Sequence, residues 1–337
     1  MTGKLILAFV IGFVAASGIG VFLVPYLRRI KAGQSIKTDG PTWHMSKNGT
    51  PTMGGIMFIA AVALVCLTVG FSCMLDGDYG HMFCLLFALV FGAIGFLDDY
   101  EKLKKKENLG LTARKKFLLQ LVAAAAFIFL MRRFGYVTTN LYIPFWNVTK
   151  PLPEALYVIL AAFVIVGTVN AVNLTDGVDG LAAGTSIPVC VFFAAVTFLW
   201  GQSVLSLGVF ASGLAGGLLG FLLYNFNPAK VFMGDTGSLF LGGAVAAMAF
   251  AYDMPLILVT LGIMYIIETL SDIIQVSYFK LTHGKRVFKM APFHHHLEMG
   301  GWSGRKWTER QLFALFTGVS AAFAILSFIG VFHRYGA

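Results

Sequence analysis

Charge is what this sequence has least of. Of its 337 residues only 12% are Asp, Glu, Lys or Arg, whereas 58% are apolar. Mean hydropathy is +0.79. So little charge cannot coat a water-soluble globule of this length, which argues against an ordinary soluble enzyme. Cysteine is scarce as well. The four present (Cys66, Cys73, Cys84 and Cys190) lie in or beside apolar runs and form no Cys-x-x-Cys pair. That excludes a disulfide scaffold and a thiolate metal centre; they read as small core residues, with a bridge between Cys73 and Cys84 left open. No nucleic-acid module, long low-complexity tract or clear repeat is present, so the net charge of +9 is no nucleic-acid signature.

What is abundant is apolar sequence in membrane-length pieces. Ten stretches qualify, roughly 4–27, 52–75, 82–98, 116–131, 155–172, 182–200, 203–223, 237–251, 254–280 and 311–332. The expectation is an all-α polytopic membrane protein, a single integral domain over 1–337 with ten transmembrane helices. The first stretch has no cleavage boundary and reads as a retained helix. Of the 25 Lys and Arg, 20 fall in the set of alternate loops 28–51, 98–116, 170–182, 224–237 and 280–310. Positive residues resist translocation, so that set is expected in the cytoplasm and both termini outside, in the periplasm. The outer stretch VTTNLYIPFWNVTKPLP (137–153) alternates β-formers about a polar turn, as a small hairpin would. The basic run KLKKKENLGLTARKK (102–116) reads as attraction to the inner membrane surface, or as capture of a phosphorylated substrate.

The unusual polar motifs all fall on that one side. GTPTMGG (49–55) could form a tight loop whose amides hold an anion, or a plain helix entry. GFLDDYEK (95–102) ends an apolar helix with two acids; paired carboxylates beside phosphate chemistry are what a magnesium site needs. NAVNLTDGVDGLAAG (170–184) holds Asn170, Asn173, Asp176 and Asp179 without a compensating cation, which is costly between membrane helices unless ligand or water reaches it. One helical turn would put Asp176 and Asp179 on neighbouring faces, and Gly177 would let backbone approach a ligand. YNFNPAKVFMGDTGS (224–238) sets Asp235 between glycines, with Thr236 and Ser238 placed to cap a helix. In IIETLSDIIQ (266–275) Glu268 and Asp272 share a helical face inside a span, with no role apparent. APFHHHLEMGGW (291–302) carries three consecutive histidines, whose side chains diverge too widely to converge on one ion.

These five motifs (GTPTMGG, DDYEK, NAVNLTDGVDGLA, FMGDTGSL and APFHHHLEMGGW), in this order, resemble the polyprenyl-phosphate N-acetylhexosamine-1-phosphate transferase superfamily. Within it the triple histidine resembles the phospho-N-acetylmuramoyl-pentapeptide-transferring branch. The resemblance implies transfer from UDP-MurNAc-pentapeptide to undecaprenyl phosphate, giving lipid I and UMP for peptidoglycan. It also implies Mg²⁺, a homodimer, and a bacterial inner membrane with the site facing the cytoplasm. Asp235 becomes the expected metal ligand, with Asp98 and Asp99 as further candidates, and Asp98, Asp99, Asp235 and His294 form the catalytic set. Lys47, Thr52, Lys102, Asn170, Asn173, Asp176, Gly177, Asp179, Asn225, Phe232, His295 and His296 are carried over as substrate-binding positions, Phe232 as a platform for uracil. The chain departs from the family pattern at Phe293, Leu297 and Met299, which bears on sugar or peptide contacts, and at Asp272. Two alternatives share these features: a sister transferase of GlcNAc 1-phosphate for surface polysaccharide, and a secondary transporter, which would instead spread its polar residues about a midplane.

Overall fold

The structure, a computed structural model, describes residues 1–30, 47, 49–105 and 110–335. Residues 31–46 and 48 of the expected 28–51 loop therefore lie outside the described residues. In chain order the helices are α1 (Thr2–Arg29), α2 (Ile56–Thr68), α3 (Phe71–Leu75), α4 (Gly80–Lys105) and α5 (Ala113–Arg133). After a hairpin come α6 (Glu154–Thr175), α7 (Leu181–Trp200), α8 (Leu205–Asn225), α9 (Gly234–Ala251), α10 (Leu258–Leu261), α11 (Ile263–Leu281), α12 (Phe293–Glu298) and α13 (Glu309–Tyr335). The hairpin pairs β1 (Asn140–Ile143) with β2 (Val148–Pro151) antiparallel, Leu141 opposite Lys150.

Among the described residues six helical stretches are long and apolar enough to cross a membrane, and a seventh if α10 and α11, bent by 80°, are one span. One of the six, Leu181–Asn225, is two helices. It turns at Gly201–Val204, and the Gly180 amide reaches the Asn225 side chain at the other end, so α7 and α8 run antiparallel. The chain is a multi-pass membrane protein. Each of the ten apolar stretches in the sequence carries helix, although α2 has only 13 residues. The four cysteines are free and buried.

Lipid offers no hydrophobic gain for helix association, so close packing must hold the bundle, and small residues supply it. In α9, 89% of the apolar stretch is buried, against 22% in α13, so α9 is the central post and α13 is peripheral. Gly92 of α4 abuts Phe240 and Gly242 of α9 abuts Val169 of α6, where side chains would hold the helices apart. The post begins where the candidate site residues gather, because α4 delivers Asp99 against its first turn.

Candidate active site

α9 starts with four unpaired backbone N–H groups, as every helix does. Its first turn is met by Asp99, 3% exposed: Oδ1 accepts the Asp235 amide at 3.2 Å, and Oδ2 accepts the Thr236 amide at 2.9 Å and its hydroxyl at 2.7 Å. Asp99 thus acts as a cap supplied by another helix, and the positive helix end stabilises its charge. Asp98, equally buried, turns the other way. Its Oδ1 accepts the Leu111 amide at 2.8 Å and its Oδ2 lies 2.6 Å from Lys102 Nζ, one helical turn along.

Asp235 completes the cluster from α9. Its Oδ2 accepts from Lys102 at 2.7 Å and Lys116 at 2.9 Å, and its Oδ1 accepts from Asn173 at 2.7 Å. The Asn173 amide also donates to Ser238, so α6 holds Asp235 in one rotamer. Oxygens of Asp98, Asp99 and Asp235 lie within 4.8 Å of one another. Three carboxyl groups here face two ammonium groups. Hard oxygen donors converging this closely suit Mg²⁺, and lysines now neutralise one oxygen each of Asp98 and Asp235. Asp99 fits less well, both its oxygens being taken by the α9 cap.

The turn from α6 to α7 separates the two acids that the sequence spacing had set side by side. Residues 176–180 are not helical. Asp176 keeps an opening to solvent yet sits deep among protein atoms. That dehydration, then the charges of Asp235, Asp99 and Asp179, holds its carboxyl well above the usual carboxylate range. Asp179 points away and is 2% exposed. It accepts from Lys47 at 2.6 Å, Asn227 Nδ2 at 3.1 Å and the Ala229 amide at 2.9 Å, while Lys47 also pairs with Glu309 at 2.6 Å. Asp179 and Lys47 therefore tie three loops and the start of α13 together. Asn225, 2% exposed, accepts the Gly180 amide and donates to the Val231 carbonyl. Asn170 links α6 to the buried Gln120 of α5 at 2.7 Å.

The glycine motif is used for packing rather than for an anion. The Gly54 and Gly55 amides donate to the carbonyls of Phe232 and Met233, and the Phe232 amide donates to Pro51. Gly55 lies against Gly237 so closely that a Cβ would meet its backbone. Thr52 is buried beside Gly234, and the Phe232 ring is half-buried at the rim.

The three histidines take three environments. His294, with its side chain 1% exposed, holds Glu268 of α11 through Nδ1 at 2.7 Å and faces Gly177. His295 pairs with Glu298 at 2.7 Å. His296 accepts the Lys289 amide at Nδ1 and packs against Trp302, ring centroids 4.4 Å apart. Burial and then the Lys289 charge lower its pKa. Lys116, Thr236, Glu309 and the Glu268 link were not singled out as site residues by the sequence. Lys116 stands in a run of seven Lys and Arg between 102 and 116, and nothing local distinguishes the one that reaches Asp235.

A bundle of apolar helices that gathers acids and lysines at the ends of α4 and α9 suits the handling of phosphorylated groups at a membrane. The model of glycosyl transferase family 4 matches residues 81–253 of this chain, and signature 1 of phospho-N-acetylmuramoyl-pentapeptide-transferase matches 47–59. Proteins of that name are similar over nearly the full length. That of Clostridium acetobutylicum is 46% identical over 98% of this chain and 99% of its own. Those of Caldanaerobacter subterraneus and Heliobacterium modesticaldum are 47% and 50% identical over 91% and 89% of this chain, and 93% and 90% of theirs. The chain belongs to the phospho-N-acetylmuramoyl-pentapeptide-transferase family.

Proposed function

We propose that this protein transfers phospho-MurNAc-pentapeptide from UDP-MurNAc-pentapeptide to undecaprenyl phosphate, yielding lipid I and UMP, with Mg²⁺ as cofactor. The observation that carries the chemistry is the cluster of Asp98, Asp235, Lys102 and Lys116. Two anionic phosphates must meet, and the cluster can exchange its internal neutralisation for a substrate's. Asp235 and Asp98 would hold the metal, which when bound supplies charge neutralisation to the donor diphosphate.

The residues divide the remaining work. Lys102 and Lys116, released from the carboxylates, can pair with phosphate oxygens. Asn173 keeps Asp235 oriented, and Asp98 positions the lipid phosphate. A phosphate monoester has a second pKa near 6, so the acceptor is already largely dianionic at neutral pH and needs alignment more than deprotonation. We therefore favour direct attack. An oxygen of the lipid phosphate bonds to the β-phosphorus while the bond to the bridging oxygen breaks, and UMP leaves with that electron pair. The three hydrogen bonds that Asp99 accepts from α9, two of them on Oδ2, argue against it as a covalent nucleophile. An apolar groove of about 310 Å³ between α6 and α10–α11, lined by Phe163, Gly167, Val259 and Ile266, gives a hydrocarbon chain a place beside the helix that carries Asn173. The Lys and Arg distribution supports ten spans, outside termini and a cytoplasmic site in the inner membrane.

The test is UMP release by purified protein with both substrates, with and without Mg²⁺, and with UDP-GlcNAc as a competing donor. Turnover requires Mg²⁺ and the muramoyl-peptide donor, and Asp235→Asn and Asp98→Asn each lower it by about 100-fold or more, the scale of lost electrostatic stabilisation. Metal-independent release would overturn the cofactor assignment, preference for UDP-GlcNAc the substrate, and near-normal rates in either variant that residue's role.

A further inference from the structure

Glu268 is the best buried of the acids without a part in the chemistry above. It lies at 0% exposure inside α11, and a membrane-facing helix does not retain such a group cheaply. Both of its oxygens are spent on one residue. Oε1 accepts the His294 amide at 3.2 Å and Oε2 meets His294 Nδ1 at 2.7 Å. Anchoring the backbone and the ring of one histidine together fixes where that ring points. Its other nitrogen, Nε2, is buried and has no hydrogen-bond partner among the described residues. An imidazole nitrogen without a partner is costly in a folded protein unless something absent completes it.

The direction of Nε2 is set by the far wall. A Cβ on Gly177 would lie 2.6 Å from His294 Cε1 and closer still to Nε2, so only glycine leaves the ring room. Gly177 follows Asp176 and stands four residues beyond Asn173, whose amide holds Asp235. The unpartnered nitrogen thus faces the turn whose Asp176 feels the charges of Asp235 and Asp99. Asp272, one turn further along α11, is a further acid near the ring.

We infer that Glu268 is a positioning residue: it fixes His294 with Nδ1–H bound to its carboxylate, so that Nε2 is the nitrogen presented across Gly177 to the donor's diphosphate. The Glu268 carboxylate already accepts the His294 amide through Oε1, and as an acceptor at Oε2 too it places the shared proton on Nδ1. An imidazolium donates from both nitrogens, so with Nδ1 spent on Glu268 it is Nε2 that is left to donate to a phosphate oxygen. The orienting group beside a histidine commonly governs turnover far more than binding, because the wrong tautomer still occupies the same space.

The inference rests on the proposed transfer, and wild-type UMP release checks that reading separately. Purified full-length Glu268→Gln, His294→Ala and the double variant are compared with wild type for kcat and KM, alongside melting temperature. Glutamine keeps the shape but exchanges the carboxylate for an amide that also donates. We expect Glu268→Gln to lower kcat at least tenfold with the donor KM within about threefold, and the double variant to be no slower than His294→Ala, since residues acting as a unit are not additive. A normal kcat in Glu268→Gln, or losses that multiply in the double variant, would overturn the assignment. Should Glu268→Gln fail to fold, Gly177→Ala probes the same contact without touching α11. Its methyl crowds the ring, so it should slow wild type at least tenfold and cost little in the His294→Ala background. Equal costs in both backgrounds would likewise overturn it.

Discussion

The crossing of α4 over the first turn of α9 sets the distance between Asp98 and Asp235, and one glycine permits that crossing. A Cβ built on Gly95 would lie 2.7 Å from the Thr236 amide nitrogen and closer still to the Asp235 carbonyl. These neighbours are backbone atoms of a central helix and cannot rotate aside. Ordinary contact begins near 3.4 Å, so Gly95→Ala must open about 1.4 Å at the Asp235 carbonyl oxygen, the nearest of these atoms. Displacement of that order has two consequences. Overpacking in a tight core costs about 1–3 kcal/mol. Moving catalytic groups by about 1 Å costs on the order of 100-fold in rate. The comparison is Gly18→Ala in α1, where a Cβ meets nothing within 4 Å. Melting temperature and UMP-release rate of both variants decide the matter. Gly95→Ala is expected to melt lower and turn over 10- to 100-fold more slowly, while Gly18→Ala stays near wild type. Near-normal turnover in Gly95→Ala would refute the claim that α4–α9 spacing sets the site.

Two further outcomes concern the loops around the cluster. Lys47→Met removes the one cation shown between Asp179 and Glu309 and leaves two largely buried carboxylates without it, at a cost of about 2–4 kcal/mol. Its melting temperature should fall and its donor KM rise more than its kcat falls; an unchanged melting curve would remove the loop-tying role. His296 is held neutral by burial, then by Lys289, and its Nδ1 lone pair accepts the Lys289 amide, a bond that protonation breaks. Its folded pKa lies below the unfolded value, so stability is fully present above about 6.5 and is lost as pH falls through the folded pKa. His296→Phe should flatten the melting-temperature profile between pH 7 and 5, and an equally steep profile in the variant would assign that dependence elsewhere.

Much of the candidate site was legible because its residues are chemically out of place. Acids and amides in apolar sequence are conspicuous, so Asp98, Asp99, Asn173, Asp176, Asp235 and Glu268 all stood out, and motif order led to the family. Their partners were not legible. Asp235 meets Asn173, Lys102 and Lys116 across 62, 133 and 119 residues of chain, and Lys47 meets Glu309 across 262. Sequence spacing speaks only to contacts within a few turns of a helix. The same limit explains GTPTMGG, whose glycines suit an anion-binding loop and a close backbone crossing equally well until the facing chain is known.

The sequence by itself determined the membrane class, the helical stretches, the hairpin and the set of chemically unusual residues, because hydropathy and local turn chemistry are properties of contiguous chain. Only the tertiary structure decided what each unusual residue does. Asp99 caps α9 while its neighbour Asp98 faces Lys102, Asp179 ties loops while Asp176 looks toward the cluster, and Glu268 holds His294. Such divisions depend on which donors arrive within about 3 Å, and at that range a one-residue step along a helix turns a side chain by about 100°.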